Sequence, residues 1–308
     1  MSEANPTEPK TQEQTQTPFY PEQGTFVSDT AIHTLLPENI SPQKATILFI
    51  HAHPDDEASS TGATMGYYAK QGATVDLLTL TRGEMGEVIP EELKHLEATN
   101  PDTNDFGAAL GKYREKELAQ AIEALGVHRQ FFLGQEPAMA QNTPPVFRDS
   151  GMVWAENGRA AANPNASPDC LTRQDVAVEA RAIAAAIRAL SPDVVVTYDL
   201  DGGYGHPDHM RTHEATMKAI DLLSPTGNVP RLVWGLEGDL HPNDSRQQAV
   251  IDGSLERKRN AMAAHATQII ITGQESFQYS NLVTQKISAR ETFRLLREFT
   301  PVTANDQN

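Results

Sequence analysis

Short β-branched and aliphatic runs alternate along the chain with longer stretches whose apolar residues recur at helical spacing. The runs at 45–50, 74–80, 130–133, 194–198 and 231–234 predict strands. The stretches at 58–71, 107–125, 173–190, 209–223 and 254–266 predict helices. The pattern is clearest at 173–190, where Val176, Ile183, Ile187 and Leu190 share one face and Thr172 with Asp175 offers a capping start. Such alternation predicts an α/β fold: a Rossmann-like, mostly parallel sheet flanked by helices, with the active site at the C-terminal ends of the strands.

Two segments, 81–106 and 134–172, show neither period and predict long loops, which in a compact domain are commonly functional or disordered. The second holds Arg148 and Asp149, within reach of a bound molecule, followed by a stretch (156–169) with little to pack. Residues 1–23, rich in Pro, Gln, Thr and Glu, predict a disordered tail, and 301–308 look similar. Between them, 24–300 is expected to be a single domain.

Composition narrows the partners. Lys plus Arg number 25 against 41 Asp plus Glu, a formal charge of −16. A field of that sign repels phosphate backbones and anionic lipid, so neither nucleic acid nor a membrane is an expected partner. The one cysteine, Cys170, permits no intramolecular disulfide, has no basic or His neighbour to activate it, and fits a reducing compartment. The N-terminus lacks the basic start and apolar stretch of a signal peptide, and no run approaches the roughly 20 apolar residues of a membrane-spanning helix. The expectation is a cytoplasmic protein, with no indication of its oligomeric state.

The chemistry concentrates where two predicted strands end. After 45–50 comes HAHPDDE, residues 51–57, and after 194–198 comes DLDGGYGHPDH, residues 199–209. Pro54 disfavours helix at His53 and stiffens the turn, so that ligands three residues apart can converge. His206-Pro207-Asp208-His209 repeats the design. Each motif alone reads as an ordinary turn. Together they set several His and Asp side chains at one sheet edge, where burial is costly unless a cation is present. Two His and one carboxylate suit a catalytic divalent metal with an open water position, zinc first and Fe(II) as the alternative.

These motifs resemble the LmbE/PIG-L family of metal-dependent N-acetylglucosamine deacetylases. HAHPDDE, TRGEMGE (81–87) and GGYGHPDH (202–209) carry the signature. YAKQGATV, KYREKEL, ALGV, RDSGM, VIDGS and AAHATQI extend the likeness over roughly 45–290, towards the mycothiol-biosynthesis branch. The resemblance implies one zinc per subunit on His53, Asp56 and His209, with Asp55 as general base. It makes His206 and Tyr204 the groups that meet the oxyanion, and Asp208 the partner that orients His206. It places Glu87, Arg114 and Asp149 among the sugar- and inositol-binding side chains. The implied reaction is hydrolysis of the acetamido group of N-acetylglucosaminyl-inositol to acetate and free amine. The alternative is the related mycothiol S-conjugate amidase, disfavoured by Thr61, where that enzyme's pattern has lysine, and by the Tyr-Gly that precedes His206.

The remaining residues of these motifs read as structural. His51 is expected to pack, and His213, four residues after His209, is not a ligand of the resembled family. Glu57 is expected to support the turn, and Arg82 and Glu84 to be loop ion-pair partners. Gly202, Gly203 and Gly205 do not have GxGxxG spacing, so a nucleotide cradle is disfavoured. A non-catalytic sugar-binding module is disfavoured because the ligand and base residues are all present.

Overall fold

The computed structural model describes residues 29–102, 105–236 and 245–300; the tails expected at 1–23 and 301–308 lie outside the described residues. The first half of the chain forms β1 (Thr46–His51), α1 (Asp56–Lys70), β2 (Thr74–Thr79), α2 (Ala108–Leu125), β3 (Arg129–Phe132), β4 (Met152–Trp154) and β5 (Ala160–Ala162). Next come α3 (Val176–Leu190), β6 (Val194–Tyr198), the short turn α4 (Gly202–Gly205), α5 (Pro207–Leu223) and β7 (Leu232–Leu236). The C-terminal part adds β8 (Gln248–Asp252), α6 (Leu255–Ala264), β9 (Ile270–Ile271), β10 (Ser276–Gln278), β11 (Thr284–Lys286) and β12 (Arg290–Glu298).

Seven strands make the main sheet in the order β3-β2-β1-β6-β7-β12-β8. The first five are parallel; β12 runs antiparallel to both β7 and β8. The chain winds outward from β1 through β2 to β3, then returns to the other side of β1 with β6. That reversal opens a crevice at the carboxyl ends of β1 and β6, where doubly wound sheets bind ligands. His51 ends β1 and Tyr198 ends β6, so both His-Pro-Asp turns open into that crevice.

Because both sheet faces are covered, β1 is apolar from Ile47 to Ile50 rather than alternating. Ile47 and Phe49 pack on one face with Met65, Leu118 and Met262 from α1, α2 and α6. Leu48 and Ile50 pack on the other with Ile183, Ile187, Ala219 and Ile220 from α3 and α5. The mostly parallel α/β expectation holds, with an antiparallel edge that carries no continuous apolar run. In β12, RETFRLLRE, the charged Glu291 is buried and neutralised by Lys258 Nζ at 2.7 Å, a pairing that local periodicity does not register.

The capping expectation at 172–175 needs correction. Helix α3 begins at Val176, and its cap is Asp175 alone, accepting from Ala177 N at 2.9 Å. The Thr172 hydroxyl instead donates to Ser150 Oγ at 2.9 Å, tying down the 134–172 segment. That segment also contains a hairpin, β4 with β5, where the sequence showed little to pack. Among the described residues no helix is long and apolar enough to cross a membrane.

Helix α3 turns a carboxylate, Glu179, into the contact with α5. It is fully buried, neither oxygen has a hydrogen-bond partner, and Arg211 Nε stands 3.5 Å away. Burial pushes its pKa up to about 8 from an ordinary 4.5, with Arg211 pulling the other way. A raised folded-state value gives stability that is fully present below about pH 4.5 and lost as pH rises through 8. Glu179→Gln should therefore leave thermal stability at pH 5 nearly unchanged. At pH 8 it should raise stability by the order of 3 kcal/mol, read by melting at both values.

Candidate metal and catalytic site

The site begins with an unusual backbone. Asp55 adopts φ 104°, in the region that favours glycine, at the junction of the Pro54 turn and α1. Two side chains hold this conformation. Asp56 Oδ2 accepts from His53 N and Glu57 Oε2 accepts from Asp55 N, each at 2.9 Å. Glu57 is fully buried and its other oxygen meets His265 Nε2 at 2.6 Å. Burial disfavours a charged ring at His265, but Glu57 outweighs it and raises the His265 pKa. Glu57 thus supports the turn, as expected. His265 is the distant partner that makes this possible, and only its place in AAHATQI hinted at it.

Beneath the turn, both oxygens of Asp56 face histidines, Oδ2 to His53 Nδ1 at 3.2 Å and Oδ1 to His209 Nε2 at 3.3 Å. His209 Nδ1 lies 3.1 Å from Gly202 O, so its proton sits on Nδ1 and the Nε2 lone pair points at the site. The Tyr198 hydroxyl donates to Asp56 Oδ2 at 2.8 Å, a contact the sequence reading missed; its only signal was the position of Tyr198 at the end of β6.

His53, His206 and His209 bring ring nitrogens within 4.8 Å of one another, and His53, Asp149 and Asp208 form a second such group. His53 Nε2 lies 3.2 Å from Asp208 Oδ2 and 3.6 Å from Asp149 Oδ1. Buried Asp208 Oδ1 has no hydrogen-bond partner. Asp56, Asp149 and Asp208, all buried, therefore crowd around His53 with too little positive charge to balance them. That donor set and charge imbalance fit a divalent cation.

One expected role changes. The Asp208 carboxylate faces His53 and Ser150 N (2.9 Å), not His206. His206 is oriented instead by backbone: Asp208 N donates to His206 Nδ1 at 3.2 Å, because Pro207 starts α5 and His206 caps it. With Nδ1 accepting, the proton of a neutral His206 lies on Nε2. Burial, then the neighbouring His209 and His53, hold its pKa well below the ordinary value, which keeps the ring neutral.

Asp55 has its carboxylate beside Arg114, Oδ2 to Nη2 at 3.0 Å. Burial raises its pKa to about 6; Arg114 opposes the rise and Asp56 adds to it. The Arg114 guanidinium also donates to Gly83 O at 2.6 Å and to Pro54 O. Gly83 is required here, since a Cβ on it would stand 1.9 Å from Arg114 Nη1. The resemblance made Arg114 a sugar-binding residue; the structure buries it against Asp55.

Asp149 joins the buried cluster, held by Met85 N at 3.2 Å and Gly151 N at 2.8 Å. Glu87 is exposed on the 81–106 segment, outside that cluster, with its backbone carbonyl held by Gln268 Nε2 at 3.1 Å. The Tyr204 ring lies 5.8 Å from that of His206 and 5.6 Å from that of His209. His51 packs as expected, between Tyr198 Oη (3.2 Å) and Thr61 Oγ1 (2.8 Å). His213 Nδ1 bonds Tyr198 O at 2.8 Å. Arg82 pairs with Glu115, whereas Glu84 accepts from Asp149 N at 3.0 Å and so helps to place Asp149. Cys170 is buried, with Sγ 3.7 Å from Thr172 Oγ1.

Residues 48–220, which hold the whole buried His/Asp cluster, match the family model described as PIG-L, GlcNAc-PI de-N-acetylase. The 1D-myo-inositol 2-acetamido-2-deoxy-α-D-glucopyranoside deacetylase of Kineococcus radiotolerans is 40% identical, over 82% of this chain and 78% of its own. The protein of the same description from Thermobifida fusca is 39% identical, over 81% of this chain and 92% of its own. Among solved structures, the A40926 pseudoaglycone deacetylase Dbv21 superposes with a TM-score of 0.51 at 19% identity, covering 82% of this chain and 98% of that one. A deacetylase–teicoplanin complex gives 0.51 at 21% identity, covering 81% and 97%. These two likenesses bear on the fold alone. The match to the family model spans more than half of the chain, and the relatives align over four-fifths of it: the chain belongs to the PIG-L (LmbE) family.

Proposed function

We propose that the protein hydrolyses the acetamido group of N-acetylglucosaminyl-inositol, releasing acetate and glucosaminyl-inositol, the deacetylation step of mycothiol biosynthesis. The observation that carries this reading is the buried cluster in which Asp56 stands between His53 and His209, with Asp55 next to it in the chain. The curated relatives named for this activity support the substrate. We read 24–300 as the single catalytic domain.

His53, Asp56 and His209 would hold one metal ion, zinc in the first instance and Fe(II) as the alternative. Bound there, the ion supplies Lewis acidity and a water of lowered pKa. Asp55 takes the proton from the attacking water and passes it to the leaving amine, a transfer suited to a carboxylate whose pKa is raised towards neutrality. His206, neutral with its proton on Nε2, donates to the oxygen where negative charge develops; one such donor contributes about 3–4 kcal/mol. The Tyr204 ring lies beside both histidines, and its hydroxyl is the second group to meet the oxyanion in this reading. Arg114 keeps the Asp55 carboxylate in place. Asp149, 3.6 Å from His53, and the exposed Glu87 are the two carboxylates that meet the sugar and inositol hydroxyls in this reading.

The competing amidase reading retains this machinery and changes only the amide cleaved. Thr61, one of the residues that disfavoured it, is fully buried against His51 and does not face the substrate. The decision therefore belongs to the assay. Free-amine release from N-acetylglucosaminyl-inositol should be abolished by chelation and restored by added metal. A clear preference for a mycothiol S-conjugate would move the protein to the amidase, and release that ignores the chelator would overturn the metal assignment.

A further inference from the structure

Tyr204 sits on a glycine-rich turn at the site. Gly202, Gly203 and Gly205 all have positive φ, and the α4 turn is kinked at Gly203 and Tyr204. The β4–β5 hairpin meets this turn at three points. The Trp154 ring stacks on Tyr204 with centroids 6.0 Å apart and planes at 28°. Arg159 Nη2 lies 3.7 Å from Asp201 Oδ2. Ala160 O comes so close to Gly205 that a Cβ there would stand 3.0 Å from it. Trp154 nevertheless remains 39% exposed, so burial alone does not account for a tryptophan at this position.

From this geometry we infer that Trp154 is a positioning residue: its indole holds the Tyr204 ring over His206 and His209, while Arg159 and Ala160 fasten the hairpin to the turn. This rests on the deacetylase reading for its consequence in turnover, but the contact itself does not. Aromatic pairs of this kind contribute enough to alter a rate by roughly three- to tenfold. Trp154 thereby acts through Tyr204, without touching the reacting atoms.

The chain has two tryptophans, and the other, Trp234, is buried with Nε1 donating to Leu35 O at 3.0 Å. Changes in emission at the site therefore report Trp154. In the metal-loaded protein, Tyr204→Ala should shift the emission to the red, and Trp154→Phe should remove that response. Trp154→Ala should lower kcat roughly three- to tenfold with KM little changed, and Trp154→Phe should recover most of the loss. In a Tyr204→Ala background, Trp154→Ala should have no further effect. An equal loss in both backgrounds would make Trp154 a direct substrate contact and overturn the inference. Emission indifferent to Tyr204→Ala would overturn it as well. A protein that releases no amine from any substrate would defeat the functional reading, while the emission comparison would still decide whether Trp154 holds Tyr204.

Discussion

Asp55→Asn should lower turnover by roughly a hundred- to ten-thousand-fold while metal content and fold are retained. Asparagine is the informative replacement because it tolerates positive φ, which the backbone at 55 requires, and keeps the N–H that donates to Glu57. It removes the ability to take a proton and the charge that pairs with Arg114, while its amide oxygen can still accept from that guanidinium. The pH profile provides an independent check. A base must be ionised, so activity should rise with pH through the Asp55 titration. Burial places that titration at about 6 in the protein alone, and a neighbouring cation moves it lower. The acid limb should therefore fall at or below about pH 6 in the parent protein and disappear from the residual activity of Asp55→Asn. Near-normal turnover in the variant, measured as kcat alongside metal content, would remove Asp55 from the mechanism.

Replacing a ligand should act through metal content. His209→Ala removes the Nε2 that faces Asp56 Oδ1 at 3.3 Å. Loss of a group behind a ligand already lowers metal affinity 10- to 100-fold, so loss of the ligand should exceed about a hundredfold. Equilibrium dialysis against a competing chelator should show His209→Ala nearly metal-free where the parent retains one ion. His213→Ala is the matched control. It lies four residues further along α5 but bonds Tyr198 O, and should keep its metal. Equal metal loss in the two variants would show that the helix, and not His209 itself, supports binding.

The two predictions separate parts of the site that are adjacent in sequence. Asp55 and Asp56 are neighbours, yet they face opposite partners: Arg114 for one, His53 and His209 for the other. Asp55 has its positive φ just where Asp56 begins helix α1. The chain holds that backbone through Glu57 and His265, so the conformation of the proposed base depends on a residue at the end of α6.

Much of this was legible in the sequence. The five parallel strands are short, locally apolar runs, and a strand buried on both faces declares itself by composition alone. The two His-Pro-Asp turns were legible because proline restricts its neighbours whatever surrounds them. The density of acids and histidines at the two strand ends pointed the same way, because burying so many ionisable groups together is costly without a cation. Strands β8 and β12 were not legible, since their charged residues are balanced by partners elsewhere in the chain. The hairpin at 152–162 shows no packing pattern of its own for a related reason: it makes contacts with the α4 turn, 42 to 50 residues away.

The sequence by itself determined the parallel sheet, the crevice at the ends of β1 and β6, and the residue types that line it. These follow from local periodicity and from backbone restrictions that act over a few residues. Only the tertiary structure decided the pairings within the crevice: Asp208 with His53 instead of His206, Arg114 with Asp55, Glu57 with His265, Trp154 with Tyr204. Each joins side chains whose separation and direction depend on how whole elements pack, and an ion pair or ring stack fails with an ångström or two of displacement. No pattern along the chain encodes that distance.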